Sequence, residues 1–280
     1  MATVVVTGGS GKAGRAVVRD LRAHGYDVLN VDVVSPREPQ GRFLKVELTD
    51  FGQVMEALHG AESVVHLAAI PAPGRETEAV TFHTNITSTF NIFQAATLLG
   101  LRRVVWASSE TTLGLPFDKE QPLYAPIDEE HPLYPQSSYA LAKVVSEEMA
   151  RQFARRSGIP FVGLRFSNIM EPEQYANFAS WQNDPRVRKW NLWGYVDVRD
   201  VAQSCRLGLE AAVTGAEAFI IAAADTTMTM PNRDLLAAVY PDVPMRGEIG
   251  EHDTLLAIGK ARRLLGYAPA YSWRDHGTPA

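Results

Sequence analysis

The chain has 280 residues, enough for one large α/β domain or one domain with a small appendage. Hydrophobic residues make up 46% and charged residues 21%, the balance of an ordinary globular chain. A formal net charge of -5, with no long basic run, argues against a general nucleic-acid surface.

Residues 3–6 read as a short strand covered on both faces, being four apolar or β-branched residues in a row. Gly8, Gly11 and Gly14 follow in a G-x-x-G-x-x-G turn, and a helix is predicted over 15–21. Such a turn brings bare backbone close to a pyrophosphate and holds it over the helix N-terminus, where unpaired N–H groups and the dipole favour an anion. The last glycine lets helix and strand pack tightly. A second strand over 27–32 ends in Asp32, which lies 18 residues beyond Gly14 and within reach of an adenosine ribose. Read blandly, Asp32 is a solvated carboxylate at a strand end.

Further strands are predicted over 42–46, 63–69, 103–107 and 160–166, with helices over 50–58, 76–99 and 138–156. Phe51, Val54, Met55 and Leu58 share one side of the first of these helices. A proline-rich loop crosses from 116 to 135. This alternation predicts a doubly wound parallel sheet with right-handed crossovers, its core in residues 1–166. Residues 167–280 read as a mixed segment that completes the sheet and forms a small substrate cap within the same structural unit. There, 171–191 looks irregular, a strand–helix unit covers 193–212, a strand 218–222, and short helices lie near Asp234 and Ala261. The single cysteine, Cys205, excludes an internal disulfide and a cysteine metal cluster; its expected role is a small buried residue on a helix. No metal is expected. Only Met1 and Ala2 precede the first strand, and no apolar run reaches the ~20 residues of a membrane span, so the expectation is a cytoplasmic protein without membrane contact.

In such a sheet a ligand lies outside the carboxyl ends of the strands. Ser108, Ser109, Glu110, Thr111 and Thr112 follow the fifth strand. On the next helix Tyr139 and Lys143 stand four apart, hence on one face, with Ser137 or Ser138 as N-cap. A free tyrosine, with a pKa near ~10, is too weak a base at neutral pH. Lys143 and the positive charge of an oxidised nicotinamide would lower it. Ser109 would then hold a substrate hydroxyl while Tyr139 takes its proton. Tyr-x-x-x-Lys carries little weight alone; behind a glycine-rich start and paired serines, in that order, it becomes selective.

These residues together make the chain similar to the extended short-chain dehydrogenase/reductase family, also called the NAD-dependent epimerase/dehydratase family. The resemblance rests on residues 7–14, Asp32, Asp50, His66-Leu67-Ala68-Ala69, Asn85, Ser108-Ser109, Tyr139 to Lys143, Arg165-Phe166-Ser167-Asn168 and residues 194–202. It implies a Rossmann-type fold binding NAD through Gly8, Ser10, Gly11, Lys12, Ala13 and Gly14. Asp32 would hold the ribose, Asp50 the adenine amino group, Leu67, Ala68, Ala69 and Asn85 further parts of the cofactor, and Ile169 the nicotinamide end. Asp50 reads equally as a helix N-cap and Asn85 as a buried helical amide; His66 reads as structural. Asp32 disfavours the 2′-phosphate of NADP, while Arg37 leaves NADP open.

Within the family the compact stretch after Arg165 looks like that of uronate dehydrogenases, which match at Glu171-Pro172-Glu173, Arg188 and Trp193. That likeness implies substrate contacts from Ser109, Glu110, Thr111, Tyr139, Asn168 and Arg188, with Arg188 gripping a carboxylate. Glu110-Thr111 departs from the Asn-His of those enzymes. Arg186, Arg188 and Lys189 read otherwise as a solvated basic face, and Trp181, Trp190 and Trp193 either line a sugar-sized pocket or pack the cap. The expected function is an NAD(P)-dependent oxidoreductase acting on a small hydroxylated substrate such as a free sugar or sugar acid. The alternatives are a nucleotide-sugar 4-epimerase with retained NAD and a non-catalytic NAD(H) sensor. By the same resemblance the protein is expected to be a homodimer.

Overall fold

The computed structural model describes residues 2–39 and 41–276. Its strands in chain order are β1 (Thr3–Thr7), β2 (Asp27–Asp32), β3 (Arg42–Lys45), β4 (Ser63–His66), β5 (Arg103–Ser109), β6 (Phe161–Phe166), β7 (Ile169–Met170), β8 (Val196–Asp197) and β9 (Ala216–Ile221). Seven of them pair in parallel in the order β3-β2-β1-β4-β5-β6-β9, and β7 and β8 pair apart from the rest. The helices are α1 (Lys12–Ala23), α2 (Phe51–Leu58), α3 (Glu78–Leu99), α4 (Ser138–Ser157), α5 (Val198–Glu210), α6 (Asn232–Val239) and α7 (Gly259–Leu265).

The two-residue period of a strand divides the core. Val4 and Val6 enter one cluster with Val17, Val18 and Leu21 of α1 and Val201, Ala202 and Cys205 of α5. Val5 points the other way, into a cluster with Val54 and Leu58 of α2, Ile92 and Phe93 of α3, and Phe153 of α4. Helices therefore cover both faces, which is why the strands read as unbroken apolar runs. Cys205 is buried in the first of these clusters. β9 closes the sheet beside β6, and α5 packs against α1, so residues after 167 contribute to both sheet and core. A third cluster, Met170, Tyr175, Phe178, Tyr195 and Trp273, lies within that later part.

Several element ends differ from the sequence expectation. β4 stops at His66, three residues early, and β5 runs two residues further, making Ser109 its last member. Phe51 is 36% exposed, so Val54, Ala57 and Leu58 anchor α2, with Met55 partly buried against the same core. The stretch read as irregular contains a 3-10 helix over Pro172–Trp181, with Glu171 and Gln174 capping each other across its first turn.

The chain reverses direction of winding at β1, with β2 on one side and β4 on the other. Such a switch point leaves a crevice beyond the carboxyl ends of the strands. Gly8 and Leu67 open onto it, and Ser109 ends its neighbour β5. Among the described residues, no helix is long and apolar enough to cross a membrane, and no group of three His, Cys, Asp or Glu could hold a metal ion.

Candidate active site

The turn after β1 is shaped by its glycines. Gly8 has φ +70°, and a Cβ there would lie 2.7 Å from the backbone nitrogen of Ala68. A Cβ on Gly14 would lie 2.1 Å from the carbonyl oxygen of Gly8, so only glycine lets α1 sit this close to the turn. Gly11 is the N-cap of α1; no side chain caps it and no acid occupies the first turn. The first-turn N–H groups are thus left for an anion. At the end of β2, Asp32 accepts from the N–H of Ser10 at 3.0 Å and of Val34 at 3.1 Å, which fixes its carboxylate beside the turn. This cradle fits a dinucleotide: bare backbone for a pyrophosphate, a helix end for its charge, and an acid for a ribose.

Across the crevice, Ser109 caps the 3-10 turn Glu110–Leu113. Its Oγ accepts from both the N–H of Thr111 (3.2 Å) and the hydroxyl of Thr111 (2.9 Å). With both lone pairs occupied, its one proton is free to donate. The Tyr139 phenol is its neighbour and hydrogen-bonding partner. Ser137 is the N-cap of α4, accepting from Ala140 N–H at 3.1 Å, which puts Tyr139 in the first turn. One turn on, Lys143 has its ammonium 5.7 Å from the Tyr139 ring centre and donates to the Ala107 carbonyl at 2.7 Å.

Burial controls the protonation of these groups. It pushes Tyr139 up to about 12, against the pull of the Ser109 hydrogen bond and with a further push from Glu110. It draws Lys143 down to about 8. The sequence reading had Lys143 and the charge of an oxidised nicotinamide together lowering the phenol; in the structure burial raises it, while the Lys143 ammonium is turned toward the Ala107 carbonyl. His66, expected to be structural, is buried between Thr7 Oγ1 (2.7 Å) and Thr89 Oγ1 (3.3 Å), and burial lowers its pKa to about 3.

Glu110 and Arg188 are both buried at this end and feel each other's charge. Glu110 is buried beside Ser167, the Asn168 backbone and the Arg188 guanidinium; burial raises its pKa to about 8 despite those partners. Arg188 is buried too, its guanidinium between the rings of Trp181 (4.3 Å) and Trp190 (4.6 Å) with Nη2 on the Gly194 carbonyl at 3.3 Å. Of the three basic residues expected either in a site or on a solvated face, only Arg186 is exposed. Trp193 is fully buried in the core, while Trp181 and Trp190 flank the arginine.

Other expected residues have more local duties. Asp50 caps α2 by accepting from Gln53 N–H at 3.1 Å, and bonds from Gln53 hold its carboxyl below the usual range. The Asn85 amide is committed to Ile70, accepting from its N–H at 2.8 Å and donating to its carbonyl at 3.1 Å, and so pins the loop of Leu67, Ala68 and Ala69 instead of pointing outward. Lys12 reaches the later segment: its ammonium donates to the Ile169 carbonyl at 3.0 Å and to Gln174 Oε1 at 2.8 Å, while Ala13 packs against the first core. Beneath the site the structure adds a buried pair absent from the sequence reading. Glu147 takes two bonds from Arg165, at 2.9 and 2.8 Å, and one from Ser108 at 2.7 Å. Its signal was available: Tyr139, Lys143 and Glu147 recur every four residues on one buried helix face.

The family model for the NAD dependent epimerase/dehydratase family matches residues 4–222. L-arabinose 1-dehydrogenase (NAD(P)(+)) of Haloferax volcanii is 28% identical over 96% of each chain. A uronate dehydrogenase of Pseudomonas putida is 26% identical over 64% of this chain and 65% of its own. Among solved structures, a short-chain dehydrogenase/reductase superfamily protein from Agrobacterium tumefaciens with bound NAD superposes with a TM-score of 0.76 at 24% identity, covering 97% of this chain and 94% of that one. UDP-glucose 4-epimerase of Thermotoga maritima gives 0.74 at 23% identity over 98% and 95%; these two likenesses concern the fold. With more than three quarters of its length under one family model, and with the glycine cradle and Ser109, Tyr139 and Lys143 around one crevice, the chain belongs to the NAD dependent epimerase/dehydratase family.

Proposed function

We propose that the protein is an NAD(P)-dependent dehydrogenase that oxidises a CH–OH group of a small free sugar or sugar acid. The observation that carries this reading is the meeting of Ser109, Tyr139 and Lys143 across the crevice from the glycine cradle. A bound nicotinamide dinucleotide would supply the acceptor for the hydride. Gly8, Ser10, Gly11 and Gly14 would hold its pyrophosphate, Asp32 its adenosine ribose, and Lys143 its nicotinamide ribose. Asp32 favours NAD, and exposed Arg37 leaves room for NADP.

In this mechanism Ser109, its lone pairs held by Thr111, donates to the substrate oxygen and fixes the carbinol. As the phenolate, Tyr139 takes the hydroxyl proton, the carbon–hydrogen bond breaks with its electron pair leaving as hydride, and the carbon–oxygen bond becomes a carbonyl. For a cyclic sugar oxidised at C1 the product is a lactone. A phenol held up to about 12 is mostly protonated at neutral pH; a bound oxidised cofactor would supply positive charge that lowers it toward the phenolate that accepts the proton. Residues 167–280 would close over the substrate as a cap, tied to the cradle by Lys12 and by the 2.8 Å Arg15–Glu171 ion pair. Asn85 acts here as a positioning residue.

The relatives support a sugar substrate, since one is a pentose 1-dehydrogenase and another a uronate dehydrogenase. Exposed apolar side chains along α3 and α4 support a homodimer. The test is net NADH formation from a panel of free sugars and sugar acids. Tyr139→Phe is expected to cut kcat by about 10²- to 10⁴-fold while NADH still binds, as read by fluorescence titration. Full activity in that variant would sink the mechanism. Interconversion of nucleotide sugars without net NADH would favour a 4-epimerase with retained NAD instead.

A further inference from the structure

The proposed site contains an acidic and a basic side chain, Glu110 and Arg188, that hydride transfer does not use. Glu110 is 3% and Arg188 6% exposed; Glu110 has the Ser167 hydroxyl and the Asn168 backbone beside it, while Arg188 Nε, among the described residues, has no hydrogen-bond partner. A buried polar atom left so costs about 1–3 kcal/mol, which an occupant that bonds to it would recover. From this geometry we infer that the Glu110–Arg188 pair selects an uncharged polyhydroxy substrate, Glu110 accepting a substrate hydroxyl and repelling a substrate carboxylate. This rests on the dehydrogenase reading above and specifies its substrate class.

The argument is one of donors and acceptors. A sugar hydroxyl both donates and accepts, so it can give its proton to Glu110 and a lone pair to Arg188. A carboxylate only accepts. It could take Arg188 but would face Glu110 with no proton to offer and a like charge in a low-dielectric pocket. Arg188 is also a poor free clamp: the rings of Trp181 and Trp190 pack within 4.3 and 4.6 Å of its guanidinium and Gly194 takes part of its edge. The groups facing Glu110 are Arg188, the Tyr139 phenol, the Ser167 hydroxyl and the Asn168 backbone. Because its carboxyl titrates near about 8, a protonated Glu110 could donate to a carboxylate at lower pH, and discrimination should sharpen as pH rises.

The test compares kcat/KM for NADH formation with L-arabinose and D-galactose against D-galacturonate and D-glucuronate at about pH 6.5 and about pH 9.5. The neutral sugars are expected to lead by about 100-fold at the higher pH and by several-fold less at the lower. Glu110→Gln keeps the shape but supplies a donor; it should raise the uronate rates, narrow the ratio by about tenfold and abolish its pH dependence. Taking the ratio cancels the titration of Tyr139, which both substrates share. Uronates preferred at the higher pH, or a ratio unmoved by both pH and Glu110→Gln, would overturn the inference. If the variant does not fold, the wild-type ratio at the two pH values decides. NADH titration runs alongside: no nucleotide binding, or no NADH from any of the four sugars, overturns the dehydrogenase reading as well, whereas NADH formed chiefly from uronates overturns the substrate class alone.

Discussion

At the scale of single residues, burial is the dominant force in the site, and Glu110 shows its sign most clearly. Its carboxyl is raised from the usual carboxylate range to about 8, so the folded protein prefers the protonated form. That preference contributes stability that is fully present below pH ~4.5 and is lost as pH rises through about 8. Lys143 runs the opposite way: lowered to about 8, it is costly while charged and recovers as pH rises. The whole protein therefore mixes the two trends, and a paired comparison separates them. Glu110→Gln is expected to have nearly the wild-type Tm at about pH 4.5 and a higher Tm at about pH 8.5, the gap opening between those values. A constant gap across that range, followed by thermal melting, would mean that the folded protein does not hold the Glu110 carboxyl above its unfolded value.

At the scale of elements, aromatic packing outweighs the polar ties. Phe93 of α3 is fully buried and meets Trp106, Phe153 and Phe161 edge-on at 5.7, 5.9 and 4.8 Å. Phe93→Ala should cost about 3–5 kcal/mol, seen as a lower urea midpoint at unchanged slope. The Arg15–Glu171 pair, about a third exposed at each end, should yield about 1 kcal/mol or less by the same measurement. An equal loss from the two changes would reverse this ordering. The elements themselves were readable in the sequence because their signals are local. Unbroken valine runs mark buried strands, Ser137 marks a helix start, and Tyr139, Lys143 and Ser109 follow in an order that one topology brings together. What stayed hidden depends on distant partners. Lys12 finds Ile169 and Gln174, 157 and 162 residues away. Asn85 spends its amide on Ile70, and Arg188 is clasped by two tryptophans from a stretch with no regular period. Nothing local tells a strand-end glutamate that a buried arginine will lie opposite it.

At the scale of the whole molecule, the sheet is covered on both faces, yet one covering layer has an apolar outer surface. Where α3 and α4 lie side by side, Phe90, Val144, Val145, Met149 and Phe153 line a groove of about 450 Å³. Phe90 is 45% exposed, and Leu98 and Leu141 are 59% and 43% exposed on the same two helices. Scattered apolar side chains need no explanation, but a contiguous strip along paired helices is the kind of surface a partner covers. Two copies related by a twofold axis would bury the same strip on each other as four packed helices. The expected mass in solution by light scattering is therefore twice the 30.8 kDa of one chain. Phe90→Asp places a charge at the centre of that contact, where it would be buried without a partner, and should shift the protein to the monomer mass. NADH binding should survive the change, because the glycine cradle lies at the strand ends, away from these outer helix faces. A wild-type protein that runs as a monomer at tens of micromolar, or a Phe90→Asp protein that stays dimeric, would remove this surface as the contact.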